Sequence, residues 1–326
     1  MYDRIITHND MDGVVSAAIC SYVFPITDIR FAGPNGIIRG QVSTTEHDIV
    51  CDLPYPTLCG MWFDHHEGNL QDLLYRNISI EDIKGRFAAK DSCSTVVYEY
   101  FVAEGWSLPA HFEQTVAETD IIDSFRYHSL EEWRKETPGK LTDYSIKATT
   151  STPREQHHYM RQLVTWVRDH PLDTVVNIPE VGERVKRYKG EEEKALRLIT
   201  EDSFFLPYDR HRELVVVDLT KHSRRPTIMK NLAHLLYPKA KAVLEIHNVF
   251  DRGVKTTNLR VAMSLGIRAQ QADKEKDLGE IMRTLNIGDG HRGAASGVVY
   301  TRSKAEMVKA KEQLFERIYE LWTSQD

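Results

Sequence analysis

Residues 4–13 of the chain read RIITHNDMDG. The apolar run at its start is typical of a buried strand, and it leads into His8, Asp10 and Asp12, which are spaced two residues apart. In an extended segment this spacing turns alternate side chains to the same side. One short loop therefore offers three ligand-type side chains, and Gly13 permits close backbone approach before the next helix. The alternative is a polar loop in which an aspartate caps that helix, because Asp is a favoured N-cap residue.

Two further strand-like runs end in the same kind of residue. Asp52 follows the run DIVC, and the run GMWF is followed directly by Asp64, His65 and His66. Ligands of parallel α/β sheets bind beyond the carboxyl ends of the strands. A single Asp at a strand end is common in turns, so the argument for Asp52 rests on its neighbours. Three adjacent polar side chains after an apolar strand have no packing purpose, and they predict a ligand site.

The donor types in these runs favour a metal centre. Imidazoles and carboxylates without thiolates suit Mn²⁺ or another hard to borderline divalent ion better than structural zinc. Further along, HFEQTVAETDIIDSF predicts a helix on which Asp120 and Asp123 share one face at i and i+3. One of these two carboxylates is expected to complete the shell of a second metal ion.

The order of patterns along the chain predicts an α/β protein. Short apolar runs alternate with helical patterns in the first half, which argues for a parallel sheet. Long polar helical patterns follow, and strand patterns then return. We predict a parallel-sheet catalytic domain over 1–150, a helical connector over 151–205 and a smaller α/β substrate-binding domain over 206–326. The active site is expected in the cleft between the two α/β domains.

Composition excludes several classes of protein. The 326 residues carry a net charge of -6, which gives no overall attraction to a long polyanion. No stretch approaches the about 18 apolar residues that span a bilayer, so membrane insertion and secretion are not expected. The four cysteines show no CxxC spacing, which suits free thiols in a reducing cytosol. We expect a cytoplasmic protein.

The motifs HNDMDG, the lone Asp52, FDHH and ETDIIDSF resemble the four ordered motifs of the DHH phosphoesterase superfamily. The run GDGHRGAASG at 288–297 resembles the glycine-rich signature of the DHH-associated C-terminal domain. Five motifs in the right order cover nearly the whole chain. The compact two-domain form is similar to that of the oligoribonucleases and phosphoadenosine-phosphate phosphatases of this superfamily.

The resemblance implies a centre of two Mn²⁺ ions, for which Mg²⁺ or Co²⁺ are substitutes. It assigns His8, Asp10 and Asp52 to one ion. The other ion takes Asp12, His65 and Asp120, with Asp123 as the alternative to Asp120 and with Asp52 bridging both ions.

The same resemblance gives catalytic roles to the remaining residues of FDHH. Asp64 would orient an imidazole, as metal-bound histidines commonly require. His66 would face the substrate and stabilise phosphoryl oxygens or protonate the leaving alkoxide, because histidine titrates near neutral pH.

The C-terminal signature implies an anion-binding loop. Gly290 lets the backbone approach a phosphate, while His291 and Arg292 supply cationic donors. The alternative is a tight turn with an incidental arginine. The chain departs from the family pattern at Asp289, which stands where a glycine is usual, so an effect on phosphate binding or substrate choice is expected.

The implied activity is hydrolysis of phosphoester bonds in short single-stranded oligonucleotides or small nucleotides, by a hydroxide that two metal ions generate. An exopolyphosphatase is the second hypothesis, because it shares this chemistry. A nucleotide sensor that kept the fold and lost turnover is the third. The expected partner is a small phosphorylated substrate, without a membrane, and a homodimer is compatible with this interpretation.

Overall fold

The computed structural model describes residues 2–224, 228, 230–272 and 276–325, without the side chains of Lys230, Gln271, Ala272 and His291. The chain forms two compact units. The first contains the residues up to Arg126 together with Lys135–Lys189, and the second contains Tyr127–Arg134 and the residues from Gly190 onward.

The first unit is built on a five-stranded parallel sheet. Its strands are β1 (Arg4–His8), β2 (Asp28–Ala32), β3 (Asp48–Cys51), β4 (Met61–Asp64) and β5 (Gly85–Phe87). Their order in the sheet is β2-β1-β3-β4-β5, and all neighbouring pairs are parallel. This confirms the α/β fold with a parallel sheet that the sequence predicted.

Ten helices lie between the start of the chain and residue 202. They are α1 (Met11–Val23), α2 (Pro34–Ile38), α3 (Glu67–Tyr75), α4 (Cys93–Ala103), α5 (His111–Asp123), α6 (Leu130–Arg134), α7 (Pro138–Lys147), α8 (Pro153–Asp169), α9 (Leu172–Val175) and α10 (Pro179–Asp202). A 3₁₀ turn lies at Ile80–Asp82. In the first unit α1 packs against α4, α5 and α8.

Both faces of the parallel sheet are buried. Ile5 belongs to the apolar cluster around α1, whereas its neighbour Ile6 packs with Trp62 in a second cluster. Alternate side chains of a strand point to opposite faces, so a sheet covered on both sides needs apolar residues at every position. This explains why the strands read as continuous apolar runs that end abruptly in polar residues.

The second unit contains a six-stranded mixed sheet. Its strands are β6 (Ser203–Phe205), β7 (Leu214–Asp218), β8 (Ala242–Asp251), β9 (Val254–Leu265), β10 (Gly288–His291) and β11 (Ala294–Val299), in the order β10-β11-β9-β8-β7-β6. Strands β7 and β8 are parallel and the other neighbours are antiparallel. The remaining helices are α11 (Ala233–Leu236), α12 (Ile267–Ala272), α13 (Leu278–Thr284) and α14 (Lys304–Thr323), with a 3₁₀ turn at Lys230–Leu232.

The stretch predicted as a connector is helical. Its helix α8 buries Tyr159, Leu163 and Val167 in the core of the first unit, and α10 begins in that unit and ends in the second. The predicted domain boundaries at 150 and 205 stay predictions. Across the described ranges, no helix combines the length and apolar character needed to cross a membrane.

Candidate metal centre

The carboxyl ends of three adjacent strands bring the predicted ligands together. His8 is the last residue of β1, Asp52 follows β3, and Asp64 is the last residue of β4. Because β1, β3 and β4 are neighbours in the sheet, residues far apart in sequence converge on one edge. Helix α5 then brings Asp123 to the same edge.

The first donor set consists of His8, Asp10 and Asp52. His8 Nδ1 lies 2.5 Å from Asp10 Oδ2 and 3.4 Å from Asp52 Oδ2. One donor atom from each residue lies within 4.8 Å of the others, which is close enough to hold a single ion.

The second donor set consists of Asp12, His65 and Asp123. His65 Nε2 lies 3.8 Å from Asp12 Oδ2 and 3.5 Å from Asp123 Oδ2. It also lies 3.7 Å from Asp52 Oδ1. The two oxygens of Asp52 therefore approach different donor sets, one through Oδ2 and the other through Oδ1.

His66 adjoins both sets but has its own partner. Its Nδ1 lies 2.9 Å from Asp64 Oδ1 and 3.6 Å from Asp52 Oδ1. Asp64 is fully buried and also accepts from Asn69 Nδ2 at 2.5 Å and from the His65 backbone N–H at 2.9 Å. A buried carboxylate held by several donors is a fixed support for the His66 ring.

The beginning of helix α4 holds Asp12. The backbone N–H of Cys93 donates to Asp12 Oδ2 at 2.6 Å, and that of Ser94 donates to Oδ1 at 2.7 Å. These N–H groups lack partners within the helix, and the helix dipole favours a negative charge there. Asp12 is therefore positioned as a carboxylate although its side chain is fully buried.

Asp52 has an unusual backbone. Its φ of 57° lies in the left-handed region, and its N–H donates to the Phe63 carbonyl at 3.0 Å. Non-glycine residues rarely occupy this region, although Asp tolerates it better than most. The bend turns the Asp52 side chain away from the strand direction at the point where both donor sets meet.

The approach of α1 to β1 requires a glycine. A Cβ atom on Gly13 would lie 2.1 Å from the backbone oxygen of His8. Asp10 Oδ1 meanwhile accepts from the Gly13 N–H at 3.0 Å and so caps α1. The capping role predicted as the alternative is present, and Asp10 Oδ2 still faces His8.

Of the two aspartates on α5, Asp123 lies in the cluster and Asp120 has other partners. Asp120 Oδ1 accepts from Ser92 Oγ at 2.6 Å and from Thr95 Oγ1 at 2.7 Å. The geometry therefore favours Asp123, the alternative ligand, over Asp120.

The carboxylates strongly influence one another's protonation. Burial and the charge of Asp12 raise the pKa of Asp52 well above its usual value. Burial, with the charges of Asp12 and Asp10, raises the pKa of Asp123 to about 8. Burial lowers the pKa of His8, but the carboxylates of Asp10 and Asp52 outweigh it and raise the value to about 10. So many negative groups at one place need compensating cations.

Two unpaired atoms test whether cations fit. Within the described part of the chain, Asp52 Oδ2 and His65 Nε2 are buried and have no hydrogen-bond partner. His65 Nδ1 lies 3.0 Å from the Lys90 carbonyl, which accepts only if Nδ1 carries the proton. The lone pair is then on Nε2, the form that binds a metal. The residues present therefore fit divalent ions with oxygen and nitrogen ligands.

Comparison with solved structures supports the same fold over the whole chain. The pGpG-specific phosphodiesterase PggH from Vibrio cholerae matches with a TM-score of 0.73 and 22% identity, over 97% of this chain and 99% of that chain. The DHH domain of a protein assigned to a family of ribosomal proteins matches with a TM-score of 0.57 and 12% identity, over 98% and 86%. The chain has the DHH phosphoesterase fold.

A third DHH-type structure, RecJ from Thermus thermophilus in complex with Mn²⁺, matches with a TM-score of 0.55 and 12% identity, over 98% of this chain and 52% of that chain. No protein-family model and no curated protein matches the sequence.

Sequence reasoning missed the residues that support the DHH ligands. Asn69, which donates to Asp64, lies in the first turn of α3, and an amide at that spacing after DHH is the one signal that points to it. The N–H groups of Cys93 and Ser94 that hold Asp12 leave no trace in sequence, because any residue except proline supplies them.

In the second unit, the glycine-rich signature of the DHH-associated domain forms a hairpin. A Cβ on Gly290 would lie 2.4 Å from Ala295 Cα on β11, so this glycine is needed for strand packing. The Gly290 N–H donates to Asp289 Oδ1 at 2.8 Å, and that oxygen also accepts from Arg283 Nη1 at 2.8 Å. Arg292 Nη2 donates to the Gln270 carbonyl at 2.5 Å. The side chain of His291 lies outside the described residues.

Proposed function

We propose that this protein is a dinuclear metal-dependent phosphoesterase that hydrolyses short single-stranded oligonucleotides or small nucleotides. The observation that carries the proposal is the position of Asp52. Its two oxygens approach two separate donor sets, and one of them is buried and unpaired among the described residues. A carboxylate in this position is suited to bridge two cations.

Each donor set is assigned to one ion. We assign His8, Asp10 and Asp52 to the first ion, and Asp12, Asp52, His65 and Asp123 to the second. We propose Mn²⁺ because the donors are imidazoles and carboxylates. Two bound divalent ions lower the pKa of a water molecule and withdraw charge from a phosphoryl group.

His66 is proposed as the residue that acts on the substrate. Its side chain is 52% exposed, whereas Asp64 behind it is buried. The hydrogen bond to Asp64 raises the pKa of His66 and outweighs the opposing effect of its burial. A protonated ring with Nδ1 held by Asp64 presents the Nε2–H to a leaving alkoxide as a general acid. Asp64 and Asn69 would act as positioning residues.

The proposed substrate class is supported by one neighbour. PggH, which matches over nearly the full length of both chains, is named as a phosphodiesterase specific for pGpG. We therefore include a dinucleotide of this kind among the substrates to test. The proposed role for Gly290, His291 and Arg292 is to contact the phosphates of such a substrate.

Product analysis of the purified full chain with Mn²⁺ tests the proposal. The panel contains pGpG, a five-nucleotide RNA, 3′-phosphoadenosine 5′-phosphate, a cyclic dinucleotide and polyphosphate. We expect mononucleotide release that Asp52→Asn abolishes and that Asp72→Asn, a matched change at an exposed carboxylate on α3, leaves unchanged.

The other outcomes distinguish the alternatives. Phosphate release from polyphosphate alone would support an exopolyphosphatase. Stoichiometric nucleotide binding without product, in a chain that retains its metal, would support a sensor.

A further inference from the structure

The second unit contains a cleft with a volume of about 840 Å³. It lies where β7 and β8 end, between the β9 strand and the first turns of α14. Its lining includes Thr220, Asn248, Lys255, Lys304 and Met307. Pockets of about 300–1,000 Å³ commonly hold small molecules, and none of the metal-centre residues lines this one.

The cleft lies far from the glycine-rich hairpin of the same unit. The hairpin turn is next to Ala294, which pairs with Ser264, which in turn pairs with Val243 near the start of β8. Asn248 lies five residues further along that strand, or about 17 Å at the usual rise per residue. The cleft is therefore separate from the substrate loop that the DHH resemblance implies.

Asn248 is a buried residue with an unsatisfied acceptor. It is 2% exposed, and its Nδ2 donates to the Thr256 carbonyl at 2.9 Å. Because that carbonyl can only accept, the amide orientation is fixed and Oδ1 points elsewhere. Oδ1 has no partner among the described residues. Such an atom costs stability unless a ligand or water donates to it.

The cleft also carries uncompensated positive charge. Lys311 pairs with Asp218 at 2.6 Å, and Lys221 pairs with Asp202. Lys255 donates to the Thr220 carbonyl at 2.6 Å. Neither Lys255 nor Lys304 has a carboxylate within ion-pair distance in the described ranges. These two ammonium groups suit an anionic group such as a phosphate.

Apolar side chains complete the lining. Phe204 is 39% exposed and Val308 is 41% exposed, and both face the cleft with the buried Met307. An exposed aromatic ring offers a surface on which a nucleobase can stack, worth about 1–3 kcal/mol per base in single-stranded complexes.

We propose that this cleft binds a nucleoside monophosphate. The phosphate contacts Lys255 and Lys304, the base packs on Phe204, and an N–H group of the base donates to Asn248 Oδ1. This goes beyond the proposed hydrolysis, because it assigns a second nucleotide site to the second unit.

Calorimetric titration of the Mn²⁺-loaded full chain with AMP tests the proposal. We expect Lys255→Ala and Lys304→Ala each to weaken one binding event about tenfold, since a charge-assisted hydrogen bond is worth about 1.5–3 kcal/mol. Lys309→Ala is the matched control, because Lys309 lies on the same helix, is exposed and does not line the cleft. Asn248→Asp, which adds a negative charge beside the phosphate, is expected to weaken the same event.

Two results would overturn the second site. One is AMP binding by the Lys255→Ala/Lys304→Ala double variant that equals binding by the Lys309→Ala control. The other is equal affinity for AMP, adenosine and ribose 5-phosphate. Hydrolysis by Lys304→Ala is expected to match that of the control, so failure of this site and failure of the proposed enzyme activity are distinguishable.

Discussion

Asp64 Oδ1 lies 2.9 Å from His66 Nδ1, joining a fully buried carboxylate to a half-exposed imidazole. If this pair positions a general acid, Asp64→Asn removes its support without removing a metal ligand. We expect turnover to fall about 10²- to 10⁴-fold, as general acid loss does, while bound Mn²⁺ stays near the wild-type amount. Steady-state kinetics with metal analysis check this. Equal losses of metal and turnover would show that Asp64 supports the metal centre instead.

The two aspartates on α5 offer a matched test of the ligand set. We expect Asp123→Asn to lose one equivalent of bound Mn²⁺, because Asp123 Oδ2 lies 3.5 Å from His65 Nε2. Asp120→Asn keeps both equivalents, because that side chain is held by Ser92 and Thr95. Metal content after dialysis decides between them, and the reverse pattern would return Asp120 to the ligand set.

Gly13→Ala is expected to destabilise the protein by about 1–3 kcal/mol or more, since a forced clash with backbone cannot be relieved by side-chain rotation. The clash is with the His8 carbonyl, so metal affinity is expected to fall as well. Urea unfolding measures the effect. Gly68→Ala on α3 is the control: its Cβ would meet no atom within 4 Å, and Ala favours helix over Gly by about 1 kcal/mol. Equal stability of the two variants would contradict the close approach.

Stability of the metal-free chain is expected to fall as pH rises between about 4 and 8. Burial and neighbouring charges raise the pKa of Asp123 to about 8, and burial raises that of Asp12 to about 6. The unfolded chain releases these protons near pH 4, so the folded chain holds more protons across this window. Raising the pH therefore favours unfolding, and bound cations reverse the effect.

Thermal unfolding with EDTA and with Mn²⁺ at pH 6 and pH 8 checks this pH dependence. The rise in Tm on adding Mn²⁺ is expected to be larger at pH 8. Asp123→Asn is expected to flatten the pH dependence of the EDTA series, and a Tm gain that shrinks with pH would refute the prediction.

Asp289→Gly is expected to lower the KM for a short oligonucleotide about threefold, with kcat unchanged. The substitution removes an exposed negative charge and frees the Gly290 N–H from its bond to Asp289. The small size follows from the high exposure of Asp289, since exposed charges interact weakly. Arg283→Gln separates the two effects, because it breaks the pair with Asp289 but leaves the acidic charge in place.

Much of the first unit was predictable from sequence. A parallel sheet buried on both faces forces its strands to be apolar throughout, so the polar residues after β1, β3 and β4 stand out. That contrast within the sequence points to His8, Asp52 and Asp64–His66. Asp10 could be read as a ligand or as a cap, and the structure shows why sequence could not choose: one oxygen caps α1 and the other faces His8.

The sequence by itself determined the fold class, the strand exits that carry the donors and the types of donor, because periodicity and residue chemistry are local properties of the chain. Only the tertiary structure decided which donors meet. It placed Asp123 in the cluster and Asp120 against α4, and it brought the Cys93 N–H to Asp12 across 81 residues. The same holds for the cleft around Asn248, since packing decides which buried atoms lack partners and which charges stay uncompensated.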